Sequence, residues 1–245
     1  MIFQRLFNTS VFISALWLAA RPATLAVAVE PGPASPVVGQ LVARILEQSH
    51  YNHHPIDDSV SRQLLRNTID SYDYNHMILS KSDVDEFTAR FGDNLDDRLK
   101  EGDVSPAYEI FDRVTKRLAE RAALVKQLTA SSFTFTTDES ILVERRDAPW
   151  PASEAETLDL WRLRIKYEVL QEKIGGVKPE EQIKTVNTRY DRLLRSFHEY
   201  DTNDVLQTYL TALAHSFDPH SDYMAEAQAE NFNISMRLSL VGIGA

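Results

Sequence analysis

The sequence predicts an all-α domain, on three observations. Apolar residues recur every three or four positions along segment after segment, the spacing of a helix with one buried stripe. Ser, Asp, Thr and Pro stand where such segments begin, as helix caps do. Glycine is scarce, at 8 of 245 residues, which favours helices and disfavours a phosphate-cradling loop.

The elements follow in order. After a proline-rich leader (Pro31, Pro33, Pro36), a first helix covers Val37 to Gln48. Asp57 or Asp58 caps a second, with Val60, Leu64, Leu65, Ile69 and Tyr72 on one stripe. Ser80 to Asp83 resembles a capping box and opens a third, carrying Val84, Phe87 and Phe91. Ser105 and Pro106 form a cap with proline at the first helical position. The long helix that follows buries Phe111, Val114, Leu118, Val125 and Leu128. Phe133 to Thr137 alternates and is strand-like. Ser153 to Glu156 is a capping box for a helix with Leu158, Trp161, Ile165 and Val169, stopped at Gly175 and Gly176. Pro179 opens another, with Ile183, Val186, Tyr190, Leu193 and Phe197. Thr202 or Asn203 caps the last long helix, with Leu206, Leu210, Leu213 and Phe217. Short loops imply antiparallel neighbours.

The chain's end reads differently. From Ile234 to Ala245 apolar and polar residues alternate and run into a Gly-x-Gly turn. A strand needs a partner, so its sheet is expected beyond residue 245 or in another chain.

Composition bounds the function. A net charge of -10 argues against a nucleic-acid or anionic-lipid partner. The absence of cysteine excludes disulfides, thiolate nucleophiles and thiolate metal sites. At the N-terminus, Arg5, the apolar run Val11 to Ala20 and the small-x-small site Ala26 to Ala28 read as an export signal cleaved after Ala28. The run is half the length of a membrane span and is broken by Arg21 and Pro22, so no stable span is expected after cleavage. The expected location is the periplasm, where lack of thiols is an asset.

Two loops concentrate side chains with chemistry. His50, His53, His54, Asp57 and Asp58 fall in one; His215, Asp218, His220 and Asp222 fall in the other. Both offer donors suited to zinc or manganese. Neither has a His pair at i, i+4 on one helix, and the carboxylates already serve caps and turns, so no metal or cofactor is assigned. There is no Gly-x-Ser-x-Gly, and no catalytic residue is assigned. In the segment Arg146 to Pro151, Trp150 lies between two prolines that fix an extended backbone, and is expected to plug a gap between helices.

Four segments in order resemble the carboxy-terminal processing proteases, in particular their tail-specific branch. These are Tyr72 to His76 leading into Leu79 to Phe87, then Arg145 to Pro151, Asp218 to Tyr223, and Leu240 to Ala245. The resemblance runs from about His50 to Ala245. With the signal peptide over 1–28, it implies a helical N-terminal domain over 29–233, and over 234–245 the start of a PDZ domain followed by a Ser/Lys protease core. It also implies that Gly242, Ile243 and Gly244 begin the seat for a substrate's terminal carboxylate, where glycines let successive amides converge. No position matches the family's nucleophile or its lysine, so the chain alone is expected to be inactive. Implied partners are proteins or peptides with apolar C-termini, through the PDZ and protease domains, and an adaptor protein. The alternative is a stand-alone exported helical adaptor without catalysis.

Overall fold

The computed structural model describes residues 28–237. Among them are nine helices and no strand: α1 Ser35–Ser49, α2 Asp58–Tyr72, α3 Lys81–Phe91, α4 Leu95–Glu101, α5 Ser105–Thr129, α6 Glu154–Ile174, α7 Pro179–His198, α8 Thr202–Phe217 and α9 Glu226–Arg237. The all-α prediction holds. Local chemistry explains most boundaries. Asp57 caps α2 by accepting from the amides of Ser59 and Val60. Ser80 and Asp83 form the reciprocal box of α3, each side chain bonded to the other's backbone amide.

Several details differ from the sequence reading. At α8 the cap is Asp201, not Thr202 or Asn203; it accepts from the Asn203 and Asp204 amides at 2.7 and 3.0 Å, and Asp204 reciprocates. Thr202 is already helical, and its hydroxyl instead bonds the Glu30 carbonyl. Ser105 is the first residue of α5, and its amide is satisfied by Asp103 at 2.9 Å. At α6 Ser153 accepts from the Glu156 amide, but Glu156 reaches the Ala152 amide, one residue earlier than a reciprocal box requires. Leu158 and Leu193 are exposed, since both lie just off the buried stripes of α6 and α7. The strand-like Phe133 to Thr137 pairs with nothing, and its phenylalanines pack instead beside α6 and α7.

The strand expected from Ile234 is also corrected in part. Ile234 to Arg237 form the last turn of α9, while 238–245 lie outside the described residues. From Ala225 to Arg237 no Gly or Pro interrupts, and Glu, Ala and Gln dominate the first turns, so helix propensity is met locally. Four alternating residues cannot outweigh that without a partner strand.

The core falls into two clusters. The larger packs α2 against α8, with α1, α3, α4 and the first half of α5 around them. The smaller gathers Val125 and Met77 with Trp161, Ile165, Val169, Val186 and Tyr190 of α6 and α7. Helix α5 belongs to both.

Candidate functional site

The two polar loops, joined by contacts that span 165 and 171 residues, meet at one end of the bundle. Pro219 prevents α8 from continuing, and Phe217, its last residue, receives the His54 ring stacked at 3.9 Å and the His50 ring edge-on at 5.5 Å. Asn52 donates to the Phe217 carbonyl at 2.9 Å. His50 Nε2 lies 3.0 Å from Ser221 Oγ, and Ser221 Oγ lies 3.2 Å from Asp218 Oδ2. Serine, histidine and aspartate in contact invite a hydrolytic reading, and hydrogen-bond polarity rejects it. The Asn52 amide donates to His50 Nδ1 at 3.1 Å, so in the neutral ring the proton sits on Nε2. That nitrogen donates to Ser221, whose own hydroxyl donates to Asp218. A base for serine must accept the hydroxyl proton, and this ring points a proton at it. The relay ties α1 to the loop after α8.

The remaining members of the loops are separate. His215 pairs with Asp222 at 2.9 Å, half-exposed; His53 and His220 are exposed; Asp57 and Asp58 stay at the start of α2. The Asp57 carboxyl is held below its usual range by the Ser59 hydroxyl, then by the Val60 amide. Among the described residues no three His, Asp or Glu side chains converge as metal ligands would.

A second convergence joins two segments distant in the sequence, Tyr72 to Leu79 and Arg145 to Pro151. Asp73, 3% exposed, accepts from the amides of Met77, Ile78 and Leu79 at 2.8–3.0 Å and from the Trp150 indole at 3.0 Å. Burial pushes the Asp73 carboxyl up, and those four donors pull against it. His76, left-handed at φ 51°, stacks on Trp150 at 3.5 Å. Its Nδ1 faces the Ala148 carbonyl at 2.6 Å and its Nε2 faces Asp70 at 3.3 Å. Both partners are acceptors, and a neutral ring has one N–H to donate to them. Asn75 accepts from the Arg145 amide, and the Pro151 carbonyl accepts from the Lys81 amide. Trp150 therefore plugs the space between helices, as its rigid prolines imply, and also anchors a polar knot. Bulky aromatics flanked by prolines hint at the plug; nothing local to Asp73 announces its partner 77 residues away.

Gly242, Ile243 and Gly244 lie outside the described residues. The Asp218 to Tyr223 segment lies against α8, where the Tyr223 carbonyl accepts from Thr211 at 3.1 Å.

The arrangement has relatives. Residues 42–227 match the family model described as the tail specific protease N-terminal domain. Over 199 residues the chain is 34% identical to the tail-specific protease of Haemophilus influenzae, a match covering 81% of this chain and 29% of that relative. The chain thus spans less than a third of the length of the relative it matches. It belongs to the tail-specific protease family, and its helical bundle is that family's N-terminal domain.

Proposed function

We propose that this bundle is the scaffold and substrate-gating segment of a periplasmic C-terminal processing serine endopeptidase, with the peptide-cleaving core supplied by sequence further along the same protein. The observation that supports it is the family match over residues 42–227, set against a relative more than three times as long as the matched part. The contact of Ser221 with His50 has the wrong proton polarity for a serine nucleophile and its base. Substrates in this reading are proteins with apolar C-termini, whose terminal carboxylate is seated on amides near Gly242, Ile243 and Gly244. Export follows from the leader, with maturation after Ala28. Helix α9 supports a connecting role, since it leaves the bundle and exposes Phe232, Ile234 and Met236.

The test compares residues 29–245 alone with the same residues joined to the natural continuation of the reading frame. The short form should not hydrolyse peptides with apolar C-termini. The long form should, and should lose activity when the serine or lysine of the continuation is replaced. Hydrolysis by the purified short form would overturn the proposal. N-terminal sequencing of periplasmic extract should begin at Val29.

A further inference from the structure

Trp150 also lines a cleft of its own, apart from its contacts with Asp73 and His76. Helices α2 and α3 run antiparallel, and between them opens a mostly apolar cleft of about 280 Å³. Leu65 and Ile69 of α2, Val84 of α3 and Trp150 form its floor and one end. The wall is rigid, because Trp150 is held by two prolines, the Asp73 bond and the His76 stack. Val84 to Gly92 rises through about 12 Å at 1.5 Å per residue. That length accepts three or four extended residues at about 3.3 Å each.

Two guanidiniums stand on its rim. Arg62, at the end away from Trp150, is neutralised by Asp93. Arg66, one turn further along α2, is exposed and makes no ion pair among the described residues. Asp70, one turn along α2 from Arg66, is engaged by His76. So the free cation lies over the middle of the cleft, and the end beside Arg62 and Asp93 is neutral. A terminal carboxylate arriving at that end would find the Arg62 guanidinium already paired. A side-chain carboxylate in mid-segment meets Arg66.

We propose that the cleft binds an internal segment of a partner protein in which apolar side chains flank one acidic residue, the apolar groups on Leu65, Val84 and Trp150 and the carboxylate on Arg66. Arginine pairs a carboxylate bidentately, and the apolar floor adjacent to it reduces competition from water. The site is distinct from a seat built of backbone amides, and needs no free chain end.

The probe is a fluorescent peptide, acetylated and amidated, with a leucine on each side of one glutamate, titrated with residues 29–245 by anisotropy. Three companion peptides replace the glutamate by glutamine, replace it by lysine, or remove it and leave a free C-terminal carboxylate. At low salt the glutamate peptide should bind at least tenfold more tightly than the glutamine peptide, a ratio that shrinks as salt is raised. Arg66→Gln should erase the ratio, and Arg66→Glu should transfer the preference to the lysine peptide. Because Arg66 is exposed, both variants should keep the parent's helicity and melting temperature. Val84→Ser should weaken the glutamate and glutamine peptides alike. Equal affinity for those two peptides, preference for the free-carboxylate peptide, or no saturation at millimolar concentration would each overturn the proposal.

Discussion

Asp73 and Asp83 are both buried carboxylates, and their surroundings push them in opposite directions. Asp73 holds a turn together through four donors. Replacing it with alanine leaves those donors buried and unpaired, and should cost about 3 kcal/mol or more, read by urea denaturation. Asp83 caps α3 and also receives Arg117 through Nε and Nη2, at 2.8 and 2.9 Å, and Arg113 at 2.7 Å. Burial opposes its ionisation, but Arg117, Ser80 and Arg113 prevail and hold the carboxyl far below its ordinary range. With the folded value depressed, the stabilisation is complete above the ordinary aspartate value of about 4 and drains away as pH falls towards the folded value. Asp83→Asn should therefore be destabilised relative to the parent at pH 7, with the gap narrowing progressively below about pH 4. At this scale the sequence is legible where partners are local. Ser80 and Asp83 are three residues apart, so the box can be read directly; the arginines that complete the site come from α5, 30 and 34 residues on, and leave no local mark.

Among the elements, α9 contrasts most with the rest. Its ties to the bundle are the Gln207 side chain, which bonds Gln228 at 2.6 Å, and the loop before it, where the same glutamine takes the Ala225 amide. Its residues 231–236 are all exposed. Removing everything after Met224 should leave the melting transition of the remainder within about 1 kcal/mol of the parent, because few buried apolar contacts are lost. A circular dichroism melt of both forms checks this. The helices with a deep apolar stripe, α2 and α8 above all, are readable from periodicity, since one residue in three or four must face the core. Helix α4 is harder, with two full turns at most and only Leu95 and Leu99 to mark it. Helix α9 is misread because its apolar residues have no core to face, so its last four positions fit a period of two as well as one of 3.6.

For the whole molecule, the bundle has no helix among the described residues long and apolar enough to cross a membrane. Its two ends hold different kinds of order: a rigid aromatic knot at Trp150 and a hydrogen-bonded relay at His50 and Ser221. Neither assembly could be read in sequence, since each joins segments more than 70 residues apart. The families of residues that make them were nevertheless visible as unusual loops. The two-cluster core has a consequence in time. Ile110, Val114 and Leu118 belong to the larger cluster, and Val125 to the smaller. If each cluster opens as its own cooperative unit, one continuous helix carries two clocks. In deuterium exchange followed amide by amide, α5 should change protection between Leu118 and Val125, its first half keeping pace with α2 and α8 and its last turns with α6 and α7. The covalent helix would run through a boundary that its own hydrogen bonds do not mark.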